Sequence, residues 1–459
     1  MKGNINIING TCILPEGKAE ADIAIRDGSI TKITCKRGTL SECENIYDAA
    51  GCMVFPGFID SHVHIRGGEF SYREDFYSGT KAAASAGITT LLEMPGCALP
   101  AFNEENFLRK RNEAKNDTCV NIGLYGAAGF DNLDEIPKLA SLGAIGFKTF
   151  QMAPVKGREK EFYGMCAESY EDMVSIMKEV KKSGLTLTVH CESQKMIDEL
   201  VPSMKEKYGS SLLGFINSRP EEAEASSVQL TVDACKATGC RTIIAHVSSP
   251  LSMEIILKAK EEGYPVYAET CAQYLYFDMD EMIKFGPYAR MKPPFRKRES
   301  VEKLVGLYAD GKFDITGSDH APYTKEEKGS MDSDVWSSVD GLYGLELTPL
   351  LLLNLVSEGK LTYEMLSRNL SLNTAHIFGL RGKGKIEEGY DGDLSIVKPL
   401  KEPYILSKEA LRCKCAENAY IYDGIKMSHE IRATILGGRA IYDAEKPDLA
   451  PMRGSGKII

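Results

Sequence analysis

The residues best suited to chemistry are histidines, one lysine and one aspartate, each near the end of a short apolar run. The first run closes as Phe55-Pro56-Gly57-Phe58-Ile59-Asp60-Ser61-His62-Val63-His64. On extended backbone, residues i and i+2 point to the same side. His62 and His64 therefore offer an imidazole pair suited to zinc or a neighbouring first-row metal. Alone the pair is a weak signal, because two surface histidines read the same way. His190 ends the run Leu185–His190, His246 falls near the end of Thr242–Val247, and Asp319, followed by His320, closes Phe313–Ser318. His62, His64, His190 and His246, four of the seven histidines, thus stand at run ends, a concentration that unrelated buried histidines would not produce. Lys148 lies between two phenylalanines in Gly146-Phe147-Lys148-Thr149-Phe150. Burying a charged lysine is costly. Desolvation would lower its pKa and free a nucleophilic amine able to add carbon dioxide and become a carbamate. Equally, its tip could reach solvent past an apolar stem.

Elements must hold these groups together. Eight β-leaning runs can be marked: Met53–Ile59, Ile88–Met94, Val120–Tyr125, Ala144–Phe150, Leu185–His190, Thr242–Val247, Pro265–Thr270 and Phe313–Ser318. Segments with helical spacing separate them, among them Tyr77–Ala86 and Ser252–Glu262. The repeat of about 37 residues matches one βα unit of a barrel of ~250 residues with insertions. An open doubly wound sheet is the alternative, but no Gly-x-Gly-x-x-Gly follows the first run. The expected fold is α/β, a (β/α)8 TIM barrel, with its active site at the carboxyl ends of the strands. Both chain ends read as short strands. Asn9-Gly10 and Asp27-Gly28 are turn dipeptides, and Asp391–Val397 and Arg432–Gly438 are apolar runs bounded by glycine. Residues 1–52 with 385–459 are expected to form a small β-sandwich domain around a barrel of residues 53–384.

Composition removes other classes. The 459 residues are 43% hydrophobic and 26% charged, which excludes wholesale disorder. A formal charge of −10 without a basic run argues against nucleic acid or an anionic membrane as partner. No run of 18 apolar residues exists, and the first residues lack a signal-peptide core. Thirteen scattered cysteines without a Cys-x-x-Cys pair read as reduced thiols, so the expected location is cytoplasmic.

Together, His62-x-His64, Lys148, His190, His246 and Asp319 resemble the ligand set of the binuclear amidohydrolase superfamily. Within it, the chain is similar to the cyclic-amide branch of allantoinases, dihydroorotases and hydantoinases. The likeness runs nearly end to end, strongest at Pro56–His64, Gly79–Pro95, Ser218-Arg219-Pro220 with Glu224, Ala245–Ser249, Glu269-Thr270-Cys271, Pro293-Pro294-Phe295-Arg296, Ser318–Pro322 and Gly384-Lys385-Ile386. The tail, Ala433–Asp443, follows the allantoinase pattern. The resemblance implies two divalent metal ions, most simply zinc, although manganese, iron or cobalt would suit the same ligands. It places one on His62, His64 and Asp319 and the second on His190 and His246. Carboxylated Lys148 and a hydroxide would bridge the two. Asp319 would be the catalytic residue, accepting the hydroxide proton and returning it to the departing ring nitrogen. The implied partner is a small cyclic amide, and the implied assembly a homo-oligomer, dimer or tetramer.

The substrate signals diverge. Arg66 extends the pair to His-x-His-x-Arg, as in dihydroorotases, where the arginine grips a substrate carboxylate. Its alternative is an ion pair with Glu69, Glu74 or Asp75. The asparagine that assists it in dihydroorotases is Gly96 here, Lys292 replaces another asparagine, and Tyr323 replaces a histidine. Glu93-Met94-Pro95, Ser218-Arg219-Pro220 and Glu269-Thr270-Cys271 are more allantoinase-like, and Gln273 is hydantoinase-like. The expectation is hydrolysis of a cyclic ureide, allantoin foremost, with Arg66 and Lys292 leaving room for a ring bearing a carboxylate. His320 is expected behind Asp319 or facing substrate. Lys156–Glu161 is either a solvated loop or a lid. Cys191 and Cys271 are expected to pack, and His376 and His429 to be structural. Two other classes compete: a non-catalytic scaffold related to hydantoinases, which would have lost metal ligands, and an acyclic amidase or deaminase, against which Lys148 argues.

Overall fold

The computed structural model describes residues 3–36, 38–40, 43 and 45–459. The chain opens with β1 (Ile5–Leu14), β2 (Gly17–Arg26) and β3 (Ser29–Thr34), an antiparallel meander. Asp27-Gly28 is the expected hairpin turn, with both residues at positive φ. Asn9-Gly10 is not a turn but a bulge inside β1, whose pairing register shifts between Ile7 and Gly10. The reason is local: the Asn9 N–H donates to Asp22 at 2.9 Å and its side chain to Asp48 at 2.9 Å, which holds Asn9 at φ 63°. β4 (Ile46–Asp48) and β5 (Met53–Pro56) both run parallel to β1, one on each side of the bulge. The bulge thus lets a single strand pair with two short ones.

The first expected run, Met53–Ile59, is two strands of two sheets. β5 stays with the terminal strands, while β6 (Phe58–Val63) starts the barrel. Gly57 makes the passage, and a Cβ there would lie 2.2 Å from Thr89 Oγ1. β6 is followed by β7 (Ile88–Glu93), β8 (Asn121–Leu124), β9 (Gly126–Ala127), β10 (Phe147–Phe150), β11 (Leu187–His190), β12 (Thr242–Ile244), β13 (Val266–Thr270) and β14 (Ile315–Thr316). All their pairings are parallel. β8 and β9 are one barrel strand interrupted at Tyr125. Closure comes after β14: Val63 bridges His320 in parallel, and the His64 N–H donates to the His320 carbonyl at 2.8 Å. Helices Phe76–Ser85 and Pro250–Glu261 lie where helical spacing places them, capped by Asp75 and Ser249. Ile59, Leu92, Tyr125, Ile243 and Ile315 fill the barrel below the mouth, with Phe378 beneath them. The interior is therefore a packed core that exposes polar groups only at the carboxyl ends of the strands.

β15 (Leu394–Ile405), β16 (Lys426–Leu436) and β17 (Arg439–Asp443) return to the terminal sheet, in the order β17-β16-β15-β5-β1-β2-β3 with β4 beside β1. Ile7, Ile23, Ile25, Val54, Ile396 and Ile435 form a separate core under this sheet. The last residues do not stay there. The Ile122 N–H donates to Lys457 O at 2.8 Å and the Ile459 N–H to Ile122 O at 3.0 Å, so the C-terminal segment lies against β8 of the barrel.

Candidate active site

Each expected ligand stands at a strand's carboxyl end, although not always on the strand. His62 is on β6 and His64 just beyond it; Lys148 is on β10, and His190 ends β11. His246 lies two residues past β12 at φ 38°, and Asp319 three past β14 at φ 46°. Positive φ is unusual for such residues and is held only where surrounding structure enforces it. Here it turns both side chains inward. Nε2 of His62 and Nε2 of His64 each lie 3.3 Å from Asp319 Oδ1. Nδ1 of His190 lies 3.0 Å from Nε2 of His246. The His62 and His246 rings, 5.5 Å apart, join the two groups. Lys148 is buried, and its Nζ has no hydrogen-bond partner among the described residues. The snorkelling alternative is thereby removed. Burial pulls the Lys148 amine down to about 8, against the opposing pull of Asp319 and Glu269. Burial likewise pushes His64 to about 3 and His246 well below its usual value, so both imidazoles are neutral lone-pair donors.

Buried acids to which the sequence reading gave no role in the site position these rings. Glu269, on β13, accepts from His62 Nδ1 at 2.7 Å and from Ser61 Oγ at 2.6 Å. With its Nδ1–H donated, His62 turns the Nε2 lone pair to the cavity. Asp60 accepts the backbone N–H of His62 at 3.1 Å and of Ser318 at 2.9 Å, tying β6 to the end of β14. On the other side, His190 Nε2 lies 3.3 Å from Glu192, which Arg219 holds at 2.7 Å. Burial opposes ionisation of Glu192, yet Arg219 overrules it and keeps the carboxyl at about 2. Arg296 donates to Glu224 and to the Arg219 carbonyl, and Glu224 accepts the N–H groups of Ser248 and Ser249. Motif stretches far apart in sequence thus converge on one support for His190 and the turn that carries His246. One signal was available in the sequence: Glu269 is an acid at the carboxyl end of a barrel strand.

Above this floor is a cavity of about 110 Å³, walled by Arg66, Phe150, Arg158, Phe162, Lys292 and Tyr323 among others. Arg66 is buried at φ 71°, lies 5.0 Å over the Tyr323 ring, and its Nε has no partner. No ion pair joins it to Glu69, Glu74 or Asp75 among the described residues. Lys292 is not free for an anion: Asp340 takes its Nζ at 2.8 Å and also accepts from Arg290 at 2.6 Å. The segment Lys156–Glu161 contributes Arg158, which donates to Tyr323 Oη at 3.1 Å and pairs with Glu161 at 2.8 Å. Gly96 lines a recess beside Arg66 and Arg158, with only Met165 Cε within 4 Å of where its Cβ would be. His320 does not face the cavity. With Asp319 turned in at positive φ, His320 points outward, its Nε2 3.8 Å from Cys413 Sγ. Cys191 and Cys271 are buried packing residues. His429 is bonded to Tyr363 at 2.9 Å, away from the site.

Residues 53–441 match the model of the amidohydrolase family. The chain belongs to this family. Over 456 residues, covering 99% of this chain and 98% of theirs, it is 31% identical to allantoinases of Salmonella newport and Salmonella enteritidis. Among solved structures it is similar to the L-hydantoinase (dihydropyrimidinase) of Arthrobacter aurescens, with TM-score 0.93, 30% identity, and coverage of 100% of this chain and 99% of that one. A dihydropyrimidinase from Brevibacillus agri shares the fold at TM-score 0.87 and 22% identity. Amidohydrolases are typically metal-dependent, and the donors here fit divalent ions. Ligand atoms of His62, His64 and Asp319 lie within 4.8 Å of one another. The buried Nζ of Lys148 and Nδ1 of His64 and His246 lack partners. Orphaned buried groups of this kind call for a ligand.

Proposed function

We propose that this cyclic amidohydrolase opens the ring of a cyclic ureide, with allantoin, converted to allantoate, the leading substrate. The observation that carries the reading is the convergence of His62, His64, Lys148, His190, His246 and Asp319 on one small cavity, with Lys148 Nζ buried and unpaired. His62, His64 and Asp319 would hold one divalent ion, and His190 and His246 the other, with carboxylated Lys148 between them; zinc suits the donors best. When bound, such ions lower the pKa of water and polarise a carbonyl. The protein's own groups do the rest. Asp319, within 3.3 Å of both His62 and His64, takes the proton of the attacking water and returns it to the departing ring nitrogen. Glu269 and the Glu192–Arg219 pair keep the imidazoles oriented. Phe150 and Phe162 limit the ring that enters.

One observation favours a second substrate, a ring bearing a carboxylate. Arg66 is a cavity guanidinium with no acidic partner among the described residues, and a carboxylate would satisfy it. Here the chain departs from the neutral-ring reading, since Lys292 and Arg158 already have acids. Purified protein assayed on allantoin, dihydroorotate and unsubstituted hydantoin separates the readings. Turnover of allantoin above the others supports the first, and preference for dihydroorotate the second. Turnover of none of them with metal bound would overturn both. We also propose a cytoplasmic homo-oligomer, consistent with the unpaired state of all thirteen cysteines. Sedimentation under reducing conditions tests the assembly, with a monomer as the contrary result.

A further inference from the structure

Behind the active site, on the outer side of the segment that carries Asp319, lies a second cluster of ligand-type side chains. Glu74, His320 and Cys413 each present a donor atom within 4.8 Å of the other two, and all three are buried. They come from three separate places: the turn leading to the helix Phe76–Ser85, the segment after β14, and the excursion between β15 and β16. His320 Nε2 and Cys413 Sγ are 3.8 Å apart. That spacing suits two ligands sharing one tetrahedral zinc, with bonds of about 2.0 and 2.3 Å.

The charge around the cluster also points to a cation. Glu74 is fully buried, and no lysine or arginine side chain pairs with it among the described residues; it accepts from Ser78 Oγ, the Lys414 N–H and the Cys413 thiol. Glu346, buried on the same side, accepts the backbone N–H groups of Arg412 and Cys413 and the Ser85 hydroxyl, and no side-chain cation pairs with it among the described residues. Two buried carboxylates, a thiol and an imidazole thus share a desolvated region in which, among the described residues, no lysine or arginine forms an ion pair with either acid, although Arg412 acts on Glu346 and Arg66 on His320 from farther off. Buried charges are ordinarily paired or hold metals.

We propose that Glu74, His320 and Cys413 form a further zinc site, distinct from the pair of metal positions in the barrel mouth. Binding releases the thiol proton that Glu74 accepts, shifts the His320 ring proton from Nε2 to Nδ1 at the expense of the 3.4 Å bond from the Gly344 N–H, and leaves thiolate, imidazole and carboxylate on one ion. The ion staples the 407–424 excursion onto the barrel. That excursion already touches the site wall, since Asn418 donates to the Tyr323 carbonyl at 2.7 Å. His320 is also bonded through its backbone to His64 at 2.8 Å. The staple therefore braces the rim of the cavity, and it stands whether or not the ureide reading is right.

The test uses the full-length holoenzyme with zinc or cadmium, in wild type, Cys413→Ala and Glu74→Gln. Wild type should bind one more equivalent than Cys413→Ala. Cadmium should produce a thiolate-to-metal charge-transfer band in wild type that Cys413→Ala lacks. Turnover by Cys413→Ala should stay within about threefold of wild type at limiting zinc. Zinc should raise the wild-type Tm more than that of Glu74→Gln, a comparison that survives if one variant folds poorly. Equal stoichiometry in wild type and Cys413→Ala, or a cadmium–thiolate band that persists without Cys413, would overturn the proposal.

Discussion

The floor and the wall of the cavity are built differently. On the floor, acids lie behind the rings: Glu269 holds His62, Glu192 holds His190, and both acids are themselves held by buried groups. Inward-facing atoms such as Lys148 Nζ are left without partners. On the wall, the charged groups mostly satisfy one another, Lys292 with Asp340 and Arg158 with Glu161. Arg66 is the exception, a wall residue treated like the floor. The difference teaches a way to separate chemistry from architecture. A buried polar group whose outer side is anchored and whose inner side is open is poised for a ligand, whereas one paired on both sides shapes the cavity.

The largest expected effect comes from breaking the floor. Asp319→Asn should lower kcat by about 10³-fold or more while retaining much of the metal, because general acid–base groups contribute 10²–10⁴-fold. Steady-state kinetics with elemental analysis on the same sample checks this, and near-normal turnover would remove Asp319 from proton transfer. Glu269→Gln should weaken metal retention by about 10–100-fold, as loss of an orienting acid does elsewhere. Dialysis against a chelator measures it, and unchanged retention would make Glu269 merely structural. Arg66→Ala sharpens the contrast within the wall. It should reduce kcat/KM for a carboxylated ring by about 10–100-fold, corresponding to a charged hydrogen bond of about 1.5–3 kcal/mol, and leave a neutral hydantoin nearly untouched. Equal losses on both rings would sink the carboxylate idea. The smallest effect belongs to the paired charges. Lys292→Met with Asp340→Asn removes the ion pair while the amide oxygen at position 340 can still accept from Arg290, and losing both members of a pair together is often nearly neutral, so kcat/KM should move by less than about threefold on either ring. A far larger fall would show that Lys292 does touch substrate.

The floor was legible in the sequence because barrel geometry converts a residue's place at a strand end into a place in the mouth. His62, His64, His190, His246 and Asp319 stood out by that rule and their chemical types, whereas Lys148 stays open between a desolvated amine and a solvent-reaching tip without the family resemblance. What the rule missed was conformation. His246 and Asp319 lie past their strands and are turned in by positive φ, and the same turn sends His320 outward to Cys413. Nothing in a strand pattern reveals a single left-handed residue. Likewise, Asn9-Gly10 has the composition of a turn, yet contacts with Asp22 and Asp48 make it a bulge. The wall was least legible because its pairings join distant loops. Asp340 lies 48 residues beyond Lys292, and its bond to that amine decides whether Lys292 is free. In the fold, the barrel and the terminal sheet followed from periodicity and glycine-bounded runs. The passage at Gly57 and the return of the last residues to β8 depend on packing against Thr89 and Ile122 instead.

The central claim is that Lys148 and the imidazoles around it hold two divalent ions that the reaction needs. The most direct measurement is metal content and turnover on one preparation made with bicarbonate, in wild type and Lys148→Ala. Wild type should carry at least two equivalents per chain, and Lys148→Ala should lose at least one of them together with turnover of every ring tested. A wild-type chain that takes up no metal after reconstitution, or a Lys148→Ala chain with full metal and full turnover, would contradict the account.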